Sequence, residues 1–343
     1  RAGDAEAAWL ALADYHRHAL AGEWQVIRER HLKHASPSAT GLADLLAHRI
    51  NCWHTQRIEF GPTIDWFPEA LPSDCKHGFH YLHWARPAVI AFVQTGEEAY
   101  REFLRDLWRQ WYYGARQDPR WREQIRHLIY TCLGVAGKWP AFLPSFIGLL
   151  QAGERDPQLL AAFYKTLLGF GRALRLHFPV FIPGVNALAV GATTLLHLAR
   201  LFPEFDESPD WDRHALRLQF RQSRDSFYPD GGNRERVWGY GLMHLQGLQQ
   251  AYDLAQRYGG LGRYERPILE TIQRACQWYA KSAGPDPAAY FPTYGDAGTD
   301  NGLHQVGDCS RFFPPGTPAP AGVDRGQDYL LDSSGFAIMR NGA

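Results

Sequence analysis

From residue 5 to residue 283 apolar side chains keep returning at helical spacing, with short connections between one such segment and the next. That pattern restricts the fold to one built mainly of helical hairpins. A helix with one apolar stripe must bury it against a neighbour. Over residues 87–113 the spacing predicts two helices, parted by the turn Gln94-Thr95-Gly96-Glu97. Further helices are expected over 119–135, 140–150 and 156–176, with Gly153 and Pro157 marking the last junction. Next, Leu188, Ala192, Leu195, Leu196 and Ala199 form a single stripe. Ser208-Pro209 pairs an N-cap with proline at the first helical position. Gly259-Gly260 closes a helix that starts near Tyr240, and one more helix is expected over 262–283.

After Gly284 the character changes. Residues 285–324 are rich in Pro, Gly and Asp and read as a long loop. YLLDSSGFAIM, residues 329–339, then reads as strand, turn, strand. A lone hairpin is not a domain. The expected organisation is a helical domain over 1–283, a linker over 284–326, and the first strands of a β-region over 327–343. The chain is expected to be the N-terminal part of a longer protein, or a helical toroid with a small strand addition. No strict repeat occurs, which disfavours a regular solenoid.

Composition excludes several function classes. At 343 residues, with 45% hydrophobic and 21% charged residues, the chain can bury a large core. No run of eighteen apolar residues predicts a membrane span. Net charge is zero, so no attraction to nucleic acid is expected. Arginine outnumbers lysine 31 to 5; a GC-rich genome gives that bias, and so does recognition of carboxylates and sulfates. The five cysteines form no CxxC, and an odd count is not a disulfide framework. It leaves room for one bridge, such as Cys52 with Cys75, without selecting it. The chain starts at Arg1 without an apolar signal segment, which was either removed or never present.

Three clusters carry side chains suited to chemistry. The first runs from FIPGVNALAVGATTLLHLARLFPEF to YPDGGNRERVWGY and the helix after it. Asn186 opens a helix there, as an N-cap, as a carboxylate-binding amide, or as both. Tyr240 lies about 140° around its helix from Leu245 of the core stripe Gly241, Leu245, Leu248, Tyr252 and Ala255. It shares a face with His244. Glu235 suits a helix N-terminus without further role. Arg236 is a substrate contact or a solvated cation, and Trp238 a sugar platform or a loop anchor. The second cluster is Ile64-Asp65-Trp66 with His77, His80, Tyr81, His83, Trp84 and Arg86. It lacks zinc spacing and reads as an aromatic, His-rich cleft wall. The third is FPTYGD, residues 291–296, with Asp300. It lacks EF-hand spacing and reads as a linker that offers Tyr294.

The order Asn at a helix start, FPE, a PDGG turn, Glu, then Gly-Tyr resembles the toroid domain of heparinase II/III-type polysaccharide lyases. IDW with HYLHWARPAVIAFVQTGEEAYREFLRDLWRQWY resembles the early toroid helices of that family. PTYGDAG resembles its loop leaving the toroid, and SSGFAIMRNG the opening strands of its β-sandwich. The resemblance implies a mainly α fold, an (α/α) toroid of helical hairpins followed by the start of a β-sandwich. It implies β-elimination on an acidic polysaccharide such as heparin, heparan sulfate, another glycosaminoglycan or alginate. Asn186 would neutralise the uronate carboxylate and Tyr240 would act as acid and base, with His244 as a third catalytic group. His83, Trp84, Glu235, Arg236, Trp238 and Tyr294 would bind substrate. No cofactor is implied in this chain, though the family's β-domain can hold a structural metal and supplies a further histidine. The expected partner is acidic polysaccharide, not nucleic acid or membrane, and the expected location secreted or periplasmic. Ala187 departs from relatives that carry histidine after the asparagine. Two other readings are an (α/α) toroid hydrolase, which needs two opposed carboxylates where Asp230 and Glu235 share one turn, and a toroid that binds polysaccharide without cleaving it.

Overall fold

The computed structural model describes residues 2–51, 57–69, 71, 73–121, 131–177, 186–283, 309–313 and 327–339. The chain divides into two compact units, Arg1–Leu174 and Arg175–Ala343. The helical region expected over 1–283 therefore belongs to both, and the terminal strands belong to the second.

The first unit holds α1 (Ala2–Ala19), α2 (Ala21–Leu32), α3 (Ala39–Leu46), strands β1 (Arg49–Asn51) and β2 (Arg57–Glu59), α4 (Ser73–His80), α5 (Arg86–Thr95), α6 (Glu98–Arg109), α7 (Cys132–Gln151) and most of α8 (Pro157–His177). α5 and α6 part at Gly96, whose φ of 71° is left-handed, as the turn residues predict. The β1–β2 hairpin was not legible: RIN and RIE are too short to show a period of two, and only the Ile50–Ile58 pairing turns an apolar side chain inward. α1, α2, α4 and α5 all pack on α7. Its Phe142, Phe146, Ile147 and Leu150 are fully buried.

α7 corrects the helix expected to start at Pro140. It begins at Cys132, capped by the Thr131 hydroxyl, which accepts from the Gly134 amide at 2.9 Å, and it runs through Pro140 and Pro144. An interior proline costs roughly 3 kcal/mol in an exposed helix. Here burial of nearly every side chain along the helix outweighs it. α7 is long and apolar enough to cross a membrane by composition, but it is the core helix of this unit.

The second unit holds α9 (Asn186–Leu201), α10 (Ser208–Asp225), α11 (Trp238–Arg257), α12 (Glu265–Ser282) and the hairpin β3 (Tyr329–Leu331) with β4 (Phe336–Ile338). α9 packs on α10 and α11, and α12 packs on the same two helices. The predicted stripe of α9 is buried throughout, as are Ala187 and Ala189 beside it. Ser208 is not the N-cap. Glu207 holds that position, and the Ser208 hydroxyl donates to the Phe202 carbonyl at 2.6 Å instead. A disulfide, Cys276–Cys309, ties α12 to the turn Ser310–Phe312. Cys52 and the Cys75 side chain lie outside the described residues. The β3–β4 hairpin rests on α12 through Phe336, whose ring centroid is 5.4 Å from that of Trp278.

Candidate active site

The loop between α10 and α11 is shaped by backbone demands that the PDGG motif meets. Phe227 and Asn233 pair as an antiparallel bridge, and the Gly231 amide donates to the Tyr228 carbonyl at 2.9 Å. Gly231 has φ of 96°, and a Cβ on it would lie 2.2 Å from the Arg274 carbonyl oxygen. No other residue fits there. Asp230 accepts the Gly232 amide on Oδ1 at 3.0 Å, and the Ser334 amide and hydroxyl on Oδ2, both at 2.8 Å. Its carboxylate is a brace between loop and hairpin. Asn233 then accepts the Glu235 amide on Oδ1 at 2.9 Å, and Arg236 takes a left-handed φ of 57°. That conformation is uncommon for a residue with a side chain, and it follows directly on Glu235.

Glu235 joins two helices directly and a third through His244. Its Oε1 accepts the backbone amide of Asn186, the first residue of α9, at 3.3 Å. A carboxylate at a helix start is favoured by the free amides and the dipole there. Its Oε2 lies 3.1 Å from Nε2 of His244 on α11. His244 is fully buried. Gln222 of α10 places its amide nitrogen 3.3 Å from His244 Nδ1 and donates to the His244 carbonyl at 3.0 Å. With that nitrogen donating, the geometry fits the tautomer in which Nδ1 accepts and Nε2 donates to Glu235. His244 was expected to be catalytic. Both its ring nitrogens are engaged within the fold and no atom of it is exposed. Asn186 is half-buried, and among the described residues its side-chain amide makes no hydrogen bond.

Tyr240 is half-buried in the first turn of α11. The next residue fixes its helical phase. A Cβ on Gly241 would lie 2.3 Å from the Tyr279 hydroxyl and 2.9 Å from Asn233 Cβ, so the turn presses directly on both. Leu245, Leu248 and Ala255 are fully buried on the predicted stripe.

The other expected site residues differ in their surroundings. Trp238 is buried, its ring centroid 4.9 Å from Trp278 and 5.0 Å from Tyr279. In the first unit Trp84 stacks on Phe79 at 5.6 Å and donates Nε1 to the Phe79 carbonyl at 2.9 Å. Within the His-rich segment His80 and Trp84 are buried, with Trp66 beside them, while Tyr81 and His83 are half-buried and Arg86 is exposed. His83 is lowered to about 4 by burial, then by the charges of Arg86 and Lys138. Arg236 is exposed. Tyr294 and the His77 side chain lie outside the described residues. Among the described residues no three His, Cys, Asp or Glu side chains converge to hold a metal. Sequence reasoning missed Gln222, which carries no local signal, and Asn233, whose signal is the Asn two residues before Glu235.

These features define a helical chain of (α/α)-toroid class whose polar centre joins one helix start to a buried histidine of another helix through one glutamate. The family model described as Heparinase II/III N-terminus matches residues 1–317, and the chain belongs to that family. A similar protein is a heparin-sulfate lyase of Bacteroides stercoris, 21% identical over 310 residues that make up 83% of this chain and 46% of that one. Among solved structures, a heparan sulfate lyase HepC mutant from Pedobacter heparinus covers 99% of this chain and is covered over 56% of its own, with TM-score 0.69 and 18% identity. A heparinase III structure gives TM-score 0.62 at 15% identity, over 80% of this chain and 46% of that one. At these identities the structures establish the fold. The chain spans about half the length of the relative it matches.

Proposed function

We propose that this chain is the helical part of a polysaccharide lyase that cleaves heparin or heparan sulfate by β-elimination. The observation that carries the reading is Glu235, which holds the start of α9 and buried His244 at once and so sets Asn186 in place. A uronate lyase must remove the weakly acidic C5 proton while the neighbouring carboxylate carries negative charge, then expel the C4 oxygen. The uncommitted amide of Asn186, at a helix N-terminus, donates to that carboxylate as charge develops. Tyr240 takes the C5 proton and returns one to the leaving oxygen. Glu235 and His244 hold this frame without touching the reacting atoms. None of these steps needs a metal or cofactor in this part of the chain.

Heparin and heparan sulfate are favoured over alginate because the similar proteins are named for them. The hydrolase reading loses its second carboxylate, since Asp230 is committed to Gly232 and Ser334. The Cys276–Cys309 bridge supports a secreted or periplasmic location, where disulfides persist. The test is ultraviolet absorbance of the unsaturated product, measured with full-length protein on heparan sulfate, heparin, chondroitin sulfate and alginate. Tyr240→Phe should abolish most turnover while sparing binding. Asn186→Ala should slow turnover by about 10²–10³-fold. No absorbance on any of the four polymers overturns the reading.

A further inference from the structure

A second feature of the helical unit Arg175–Ala343 has no part in that chemistry. The end of α10, the loop after it and the first half of α12 enclose an open groove of about 410 Å³, within the usual range for ligand sites, roughly 300–1,000 Å³. Phe220, Arg224, Tyr228, Arg234, Glu270 and Arg274 line it. Two of these charges are already answered: Arg224 pairs with Asp225 at 2.6 Å, and Glu270 with Arg266 at 2.8 Å. Arg234 and Arg274 pair with no carboxylate among the described residues. The Arg234 guanidinium lies 4.8 Å above the Tyr228 ring. Arg274 donates Nη2 to the Thr271 hydroxyl at 3.0 Å, while its buried Nε has no hydrogen-bond partner. A buried guanidinium N–H without an acceptor is costly, and an anion in the groove would supply one.

None of the proposed reacting groups lines this groove. Phe227 forms part of its wall and stands edge-on to the His244 ring, with centroids 6.2 Å apart, so that side chain touches both the groove and the His244 ring. Unanswered planar guanidiniums suit carboxylate or sulfate in a forked geometry, and the phenol and phenyl rings beside them suit the apolar face of a sugar. We propose that this groove is a second binding site for acidic oligosaccharide, one that holds polymer apart from the place of cleavage. The ligand class rests on the proposed function; the site rests on its own residues.

The test separates the two. Full-length protein is titrated calorimetrically with sucrose octasulfate, a sulfated sugar without a uronate and so not open to β-elimination. Arg234→Glu should weaken an Arg234-dependent binding event at least tenfold, and Arg234→Lys should retain most of it. Arg274→Gln provides a second disruption. On heparan sulfate, Arg234→Glu should raise KM for long polymer several-fold and leave kcat on a tetrasaccharide within twofold. Unchanged octasulfate affinity in both Arg234→Glu and Arg274→Gln overturns the groove, whatever the lyase assay gives. So does inorganic sulfate binding as tightly as the sugar at Arg234, which would make this a simple anion site. Octasulfate binding that depends on Arg234, with no cleavage of any polymer, keeps the groove and removes the lyase reading.

Discussion

His83 is half-buried and His244 fully buried, both in helical segments, and their surroundings differ in sign and in connection. His83 sits beside the Tyr81 ring, and burial with the charges of Arg86 and Lys138 holds its imidazole neutral, near 4. His244 is held by an amide donor on one nitrogen and a carboxylate acceptor on the other. Clustering of histidines in sequence pointed at the first. A chain of hydrogen bonds from three helices marks the second, and that chain ends on the backbone amide at the start of α9. For a histidine, the partner of each ring nitrogen says more about function than the number of histidines nearby.

The sharpest way to break this comparison is to remove one group from each region in full-length protein. Glu235→Ala should lower kcat on heparan sulfate by about 10²-fold, the scale of a lost supporting hydrogen bond in a working site. His83→Ala should stay within about threefold. Equal losses would mean the first region contributes to chemistry as much as the second.

A smaller effect concerns covalent support, found among the described residues only in the second unit. Cys276→Ser should cost about 2–4 kcal/mol of unfolding stability. Matching denaturant midpoints with and without reductant would show that the bridge does not hold that unit together. Gly241→Ala should cost about 1–3 kcal/mol, because the added methyl meets Tyr279 and Asn233 in a packed interior. It should also displace the first turn of α11 and cut turnover through Tyr240. Full stability with normal activity would show that the turn is looser than the packing implies.

The smallest effect is read through pH. Lys138 is fully buried in α7, with Nζ on the Gly134 carbonyl, and burial lowers it from the ordinary 10.5 to about 7. Between those values the unfolded chain binds more protons than the folded one, so the penalty is full below pH 7 and fades as pH rises towards 10.5. Lys138→Met should therefore stabilise the protein by about 1–2 kcal/mol at pH 6 and by much less at pH 10. Thermal melts at the two pH values check the sign. A gain that grows with pH would show that Lys138 is held charged by a partner.

The helical architecture was legible because periodicity and burial agree: the stripe from Leu188 to Ala199 is read from spacing alone and is buried in full. The start of α7 was not legible, because proline is a local signal and tertiary burial overrides it. Asn186 and Glu235 were legible as candidates, but their link through the Asn186 amide was not. It joins positions 49 apart in sequence, and no spacing rule reaches that far. His244 was read from helical phase as a neighbour of Tyr240. The phase is right, but phase alone did not show that Gln222 and Glu235 would enclose it.

Ser334 gives the loop a place in the order of synthesis. The turn that carries Glu235 is fastened by a residue 104 positions later than Asp230. A ribosome delivers that stretch over several seconds, at roughly 5–20 residues per second. Through that interval α9 to α12 can form while the turn lacks its outer fastening. Nascent chains released before Ser334 should show faster hydrogen exchange at Gly231 and Gly232 than chains that include it. The arrangement makes the Asp230 turn one of the last parts of this unit to be fastened, since its outer partner arrives with the downstream hairpin.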